Sequence, residues 1–592
     1  MKPAAEFQRH LEERRQAADR LTRRAGRISA ARLLAALAGV FAFWLAFVHH
    51  GASPLWLLLP IAAFACLARW HDRTLHALDA ARRGARFYEL ALSRLDGTWP
   101  RQGETGAAFL DPHHAYAASL DLFGPASLFQ FLNTARTQAG EQALAGFLLH
   151  PAGIEVAQAR QEAVRDLAPR RALREDLFLL GEDVRAGLHP EALASWAGRP
   201  AALPGTALRA AAFVLPALTL AGLAFWAFQG SRILFLVSAS LQALLFYQLR
   251  ARVAEVLDSL AQPAHELALV AALLRRLERE SFTSPLLATL HQRIASGAAR
   301  EIHVLARLVE FASQARNAFF APIAAILLWS LHFAWAIDAW RARHGASIAQ
   351  WLQTLGEFEA LNALAAFAAA RPELPYPALA SGPAHYQGED LFHPLLPPHR
   401  AVPNSLSLSG AQPLLIISGS NMSGKSTMLR TVGVNAVLAF AGAPVCARSL
   451  ALTPYALGAS IRITDSLHEG SSRFFAEIKQ LRLIAELARG PLPLLFLLDE
   501  ILSGTNSHDR RIGAAAVLRS LLQFQAQGLV TTHDLALTRI AETVTPPGLN
   551  LHFEDHLEQG RIVFDYLIRP GVVAKSNALE LMRSIGLDVA PE

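Results

Sequence analysis

Two stretches near the start of the chain are free of charge and show no alternation of polar and apolar positions. Leu33–Val48 reads LLAALAGVFAFWLAFV, and Pro54–Ala68 follows after the short link HHGAS. Each is slightly shorter than the ~20 residues a spanning helix needs, but neutral flanks can extend both. Together they predict a helical hairpin. A second pair, Ala210–Phe228 and Ile233–Leu249, flanks the link QGSR. Buried hairpins of a soluble core would give similar runs, so the decision rests on the surrounding charge. A fifth apolar run, Ala318–Ile337, is interrupted by Pro322 and His332 and followed by Asp338. Counted as a span, it would carry the C-terminal third outside the cell; a buried core helix is expected instead.

The remaining pattern divides at a proline-rich stretch, Pro372–Pro398. Before it, Gln158–Leu167, Arg170–Leu180 and much of Arg252–Ala315 carry helical spacing, and Leu352–Ala370 is another helix closed by Arg371-Pro372. These segments predict one helical domain interrupted by the second hairpin. After the boundary, short β-like runs alternate with helical ones, the signature of an α/β layer architecture. The expected organisation is a basic N-terminus with hairpin 1 (1–75), helical core (76–206), hairpin 2 (207–250), further helical core (251–371) and an α/β domain (372–592).

Charge gives the hairpins an orientation. Nine Lys/Arg stand in the first 32 residues; Arg69, Arg73, Arg82, Arg83 and Arg86 follow the first hairpin, and Arg250 and Arg252 the second. The two links hold only Arg232. By the positive-inside rule both links face outward. The expectation is a multi-pass protein of the cytoplasmic (inner) membrane, with the N-terminus and the α/β domain in the cytoplasm. A signal peptide is not expected, because a long polar and basic segment precedes the first apolar run. Composition agrees: 52% of the 592 residues are hydrophobic and 18% are charged, against roughly 25% charged in average chains. That excludes a disordered chain. Two cysteines, Cys66 and Cys446, exclude a disulfide framework or cysteine zinc cluster and are expected as buried thiols. A net charge of +6 does not by itself mark a nucleic-acid binder.

Lysine is scarce. Lys2, Lys425, Lys479 and Lys575 are the four among 55 basic residues, so a retained ammonium asks for a reason. Lys425 has one. The strand-like LLIIS (Leu414–Ser418) leads into Gly419-Ser420-Asn421-Met422-Ser423-Gly424-Lys425-Ser426-Thr427 and then a helical run. This is a P-loop in strand–loop–helix context. Its glycines let backbone N–H groups face phosphate oxygens, the helix start adds positive potential, Lys425 supplies a point charge and Ser426 a hydroxyl for Mg²⁺. Downstream, LLFLLDE ends in Asp499, placed to hold Mg²⁺, and Glu500, placed to orient or deprotonate a water. A further strand ends in Thr531-Thr532-His533-Asp534, where His533 can reach a γ-phosphate. Between them Gly470-Ser471-Ser472 either presents N–H groups and hydroxyls to phosphate or is an ordinary helix cap.

The ordered set resembles the ATPase domain of the MutS DNA mismatch-repair family. His393-Pro394-Leu395-Leu396 with Asn404, SGSNMSGKST, the segment Asp465–Glu477, LLDEILSGTNSHDR, TTHD, and Phe564-Asp565-Tyr566 through Lys575, Ser576 and Ala578 each look like a family motif. The resemblance implies ATP and Mg²⁺ as ligands and a homodimer through the ATPase domains, with Ser472 crossing onto the partner's nucleotide. Upstream, Leu120–Gly124, Ser127–Phe129, Arg136–Glu141 and Arg160–Val164 look like the start of the family's helical core and lever.

Departures matter too. No mismatch-reading domain fits before Asp121, and Phe87-Tyr88-Glu89 matches the family's Phe-x-Glu only by coincidence. Ala401 stands where an aromatic usually meets adenine, Arg473 where Thr is common, and Leu502-Ser503 replaces Gly-Arg. The pattern is most similar to a membrane-anchored MutS-like subfamily. The leading expectation is a dimeric ATPase in the lipid bilayer that couples ATP to DNA binding, mismatch recognition itself being doubtful. The alternatives are a nucleotide-switched membrane scaffold or an ABC-transporter-like ATPase without DNA binding, although EGSSRFF replaces the LSGGQ signature.

Overall fold

The computed structural model describes residues 3–180, 190–203, 205–257, 264–397, 399–461, 473–558 and 561–573. Two compact units emerge.

The first unit is an antiparallel pair of long helices, Pro3–Phe43 and Leu58–Asp96, with helix Arg171–Leu180 against it. The register can be followed along the pair. A Cβ on Gly39 would meet Pro60 at 3.7 Å, Arg32 lies over Phe64 at 5.3 Å, and Arg24 over Trp70 at 5.0 Å. Farther out, Arg15 Nη2 donates to Glu89 Oε1 at 2.8 Å. The apolar runs are exposed: Leu34, Val40, Leu55 and Leu59 are each more than 60% accessible. In water each such side chain forgoes about 1.5–3 kcal/mol of burial. Cys66, expected buried, is exposed on this hairpin.

Helix Arg171–Leu180 joins this unit and not the neighbouring core, where the sequence put it. Glu175 explains the difference. Its carboxylate pairs with Arg14 at 2.5 Å and accepts from the buried Tyr88 hydroxyl at 2.8 Å, while Phe178 meets Phe87 edge-on. Phe87-Tyr88-Glu89 is thus spent on helix packing.

The second unit joins a helical core to the α/β domain. Its axis is the helix Trp329–Ala370, buried along most of its C-terminal half. Helices Gln138–Leu149, Ile154–Leu167, Pro190–Ala197, Pro285–Ile294 and Ala298–Ser313 pack on it. At Gly356 the helices approach so closely that a Cβ would lie 2.5 Å from Ala139 O. Hairpin 2 is Thr206–Gln229 and Ile233–Leu257. Inside it, Gln242 Oε1 accepts from Thr219 Oγ1 at 2.6 Å, and Gln242 Nε2 donates outward to Ile326 O at 2.7 Å. The described residues hold four helices long and apolar enough to cross a membrane: Pro3–Val48, Pro54–Asp96, Ala207–Gln229 and Ile233–Leu257.

The single buried helix expected over 318–337 is not formed. A short helix, Ala321–Ile326, ends before Leu328, whose φ is +50°. Phe319 is 94% exposed and Ile323 is half-exposed. Before Leu331 only Ala324 and Leu328 of this stretch are buried; regular burial starts within the long helix. Pro322 fits the first turn of the short helix, where no N–H partner is needed.

Among the described residues of the α/β domain, ten strands form two sheets. They are β1 (Ala378–Leu379), β2 (Tyr386–Leu391), β3 (Asn404–Leu408), β4 (Leu414–Ser418), β5 (Ser449–Leu452), β6 (Ala456–Ser460), β7 (Leu494–Asp499), β8 (Gln527–Thr532), β9 (Leu549–Glu558) and β10 (Arg561–Pro570). The smaller sheet runs β1-β5-β2-β3 and the larger β10-β9-β4-β8-β7-β6. Strands β9, β4, β8, β7 and β6 are mutually parallel. The register aligns Ser418 with Thr532 and Asp499 with Thr531. The carboxyl ends of β4, β7 and β8 therefore open onto one edge, where α/β sheets bind ligands.

Candidate nucleotide-binding site

Strand β4 is buried along its length and delivers the chain into the loop Gly419–Gly424. Three loop positions have positive φ: Gly419 (φ +149°), Met422 (φ +70°, its side chain exposed) and Gly424 (φ +104°), which opens helix Lys425–Ala441. At Gly419 a Cβ would lie 3.0 Å from Ser423 Oγ and 3.1 Å from Phe553 O, so only glycine lets the loop close. Lys425 folds over it, donating to Gly419 O at 2.9 Å and Ser420 O at 2.7 Å. Burial holds its ammonium pKa below the usual lysine value, while Glu500 and Asp499 draw it back up. Ser420 Oγ and Ser423 Oγ are buried without a hydrogen-bond partner. Such hydroxyls are costly in a closed core and suit a phosphate cradle.

The acidic pair completes the edge. Ser426 Oγ donates to Asp499 Oδ2 at 2.7 Å. Thr531 Oγ1 donates to Asp499 Oδ1. Oδ2 is thus directed at the start of the P-loop helix, and Oδ1 is held by the neighbouring strand. Glu500 sits at φ +48° and its N–H donates to Thr531 O at 3.1 Å. His533 Nδ1 lies 3.4 Å from Glu500 Oε1. The turn presenting His533 is fixed by Asp534, whose N–H donates to Thr532 Oγ1 at 2.9 Å and whose carboxylate caps the next helix. Lys425, Ser426, Asp499, Glu500 and His533, far apart in sequence, therefore meet. Asn421 and Thr427 are exposed on the loop and helix start. Ser472 lies outside the described residues, as do Lys575, Ser576 and Ala578.

Several neighbours that the sequence offers only as parts of motif-like stretches carry the geometry. Glu477, near the start of helix Arg473–Leu487, accepts from Leu502 N at 2.6 Å and shapes the loop after Glu500. A Cβ on Gly424 would touch the Tyr566 ring at 3.2 Å, so this ring flanks the P-loop. Asn404 holds it there, donating to Tyr566 O at 2.9 Å and accepting from Ile568 N at 2.7 Å. His393 is buried and its pKa falls to about 4 through desolvation and nearby Arg430, so the ring is neutral.

A strap from the helical region reaches the same helix. Arg430, one turn beyond the P-loop, meets Asp121 Oδ2 at 3.2 Å and donates to Ser119 O at 3.1 Å. Ser119 Oγ donates to Ala459 O at 3.1 Å, and Gln480 Nε2 to Ala115 O at 2.9 Å. Ala115–Asp121 thereby touches the P-loop helix, β6 and the helix that carries Glu477.

The profile of MutS domain V matches residues 415–590, from within β4 past the last described strand. Residues 415–590 are thus similar to MutS domain V. Endonuclease MutS2 of Thermomicrobium roseum is 33% identical over 237 residues, 37% of this chain and 28% of that protein. DNA mismatch repair protein MutS of Thermus aquaticus is 37% identical over 188 residues, 31% and 22% of the two chains. DNA mismatch repair protein MutS 2 of Halobacterium salinarum is 32% identical over 235 residues, 38% and 26%. The matches thus span about a quarter of each relative's length. The MutS match contains the P-loop, Asp499, Glu500 and His533 and leaves out both hairpins.

Proposed function

We propose that this chain is a membrane-anchored MutS-like ATPase, working as a homodimer and coupling ATP turnover to the helical region. The carrying observation is the Ser426–Asp499 hydrogen bond at 2.7 Å with Glu500 and His533 beside it. Loop N–H groups, Lys425, Ser420 and Ser423 would hold the phosphates. Ser426 and Asp499 would hold Mg²⁺, which supplies charge neutralisation between the phosphates when bound. Glu500 would accept the proton of the attacking water, and Tyr566 would flank the nucleotide. Ser472 is proposed to act on the partner's nucleotide.

Exposed apolar helices flanked by arginine support insertion of both hairpins into the inner membrane, with the ATPase domain in the cytoplasm. The names of the relatives support DNA as the partner. The phosphate backbone would dominate such binding, which must then fall with salt.

The test compares wild-type protein with Glu500→Gln. Equal nucleotide binding with turnover lowered on the order of a hundredfold or more is expected; equal turnover would remove Glu500 as the base. Absence of salt-sensitive duplex binding would leave the ATPase reading in place and overturn the DNA reading.

A further inference from the structure

The first hairpin carries a basic groove that the ATPase does not use. It encloses about 520 Å³ between helices Pro3–Phe43 and Leu58–Asp96 and is lined by Arg20, Arg23, Arg24, Arg27, Ile28, Ala31, Leu67 and Trp70. The arginines share one helix face by their spacing. Among the described residues none of the four pairs with a carboxylate, whereas Arg14 and Arg15 lower on the same helix do. On the facing helix Asp72 is turned to His76 at 3.6 Å. The lining of the groove thus carries four guanidinium groups and no carboxylate.

Its floor is apolar, and the order along the helix is informative. Ile28, Ala31 and Leu67 lie toward the apolar runs that begin at Leu33 and end at Ala68, and the arginines lie away from them. Arg24 and Arg27 stand about 9–14 Å along the axis from Leu33. An extended arginine covers that distance to a headgroup layer roughly 5–8 Å thick. Trp70, half-exposed under the Arg24 guanidinium at 5.0 Å, has the amphipathic character of a ring at the membrane–water boundary. A molecule with an anionic phosphate head and an acyl tail matches both ends of the groove. A nucleic-acid backbone would match only the arginines.

We infer that this groove binds the headgroup of an anionic phospholipid, four guanidinium groups suiting a lipid with two phosphates. The inference rests on insertion of the first hairpin in a bilayer. Bidentate guanidinium–phosphate pairs supply the binding, and Ile28 and Leu67 receive the start of the acyl chains.

The experiment uses the full chain in nanodiscs and detergent. Carbonate extraction of cell membranes first asks whether the chain is integral; release into the soluble fraction would overturn the membrane reading itself. Thermal stabilisation of the detergent-solubilised chain is then titrated with phosphatidylcholine, phosphatidylglycerol, diphosphatidylglycerol, inorganic phosphate and a short DNA duplex. The expected result is a preference of roughly tenfold or more for diphosphatidylglycerol over phosphatidylcholine. Replacing Arg20, Arg23, Arg24 and Arg27 together by Gln should abolish it, and replacing them by Lys should keep most of it. An integral chain with no such preference, or one kept by the Gln variant, overturns the groove proposal alone. So does a preference for the duplex or for free phosphate that the Gln variant loses.

Discussion

Glu500 Oε1 and His533 Nδ1 stand 3.4 Å apart at the ends of neighbouring parallel strands, the carboxylate on a backbone at φ +48°. The strand register fixes the pairing, since Asp499 is level with Thr531. A histidine so placed orients the carboxylate. His533→Ala should therefore slow turnover less than Glu500→Gln while leaving nucleotide affinity within a few-fold. The double variant should be no slower than Glu500→Gln alone, because residues acting as a unit are not additive. Steady-state ATPase rates for the three variants decide it; fully multiplicative losses would separate the two residues.

Arg430 and Asp121 offer a test of the strap. Arg430→Met should cost about 1–3 kcal/mol, since it removes the guanidinium from Asp121 and the side-chain donor from Ser119 O. A cycle with Asp121→Asn should show a coupling of about 0.5–3 kcal/mol in denaturant unfolding. Additive losses would mean that the 3.2 Å ion pair is idle.

Glu359 predicts a pH dependence. Burial pushes its carboxyl pKa up to about 7, against hydrogen bonds from Thr137 Oγ1 and from Arg136 N at 2.8 Å. A carboxyl raised in the folded state favours folding below its ordinary value of 4.5 and loses that advantage as pH climbs through 7. The loss amounts to roughly 3 kcal/mol. The thermal midpoint of wild type should fall between pH 5 and 8 relative to Glu359→Gln, whose profile should be flatter. Parallel profiles would contradict a buried, late-titrating carboxyl.

Two glycines of the helical core should respond in opposite directions. Gly356→Ala drives a methyl to 2.5 Å from Ala139 O, which is backbone and cannot yield without parting the helices. About 1–3 kcal/mol of destabilisation is expected. Gly146→Ala, with nothing within 4 Å, should stabilise helix Gln138–Leu149 by roughly 0.5–1 kcal/mol. Chemical denaturation of both variants checks the sign.

What could be read from the chain follows the range of the interactions involved. The P-loop is a contiguous run whose glycines answer to local backbone needs, so it was visible, as was the pairing of apolar runs with basic flanks. Thr531 on Asp499, Glu477 on Leu502 and Tyr566 on Gly424 are contacts made only by the folded sheet, and the motif-like stretches that hold these residues do not announce them. The same holds for Glu175, which draws helix Arg171–Leu180 to the first hairpin. At 318–337 hydropathy concealed a break, because Leu328 in a left-handed conformation leaves no trace in composition.

Helix Ile233–Leu257 runs unbroken from exposed Leu236 and Leu241 to buried Val253 and Val256, and packs on Trp329–Ala370. That long helix rests on Gln138–Leu149 and Ile154–Leu167, which in turn touch the P-loop helix. The apolar hairpin and the phosphate loop are therefore geared together by stiff shafts in direct mesh. A tilt of the hairpin would therefore have a packed helical path to the loop.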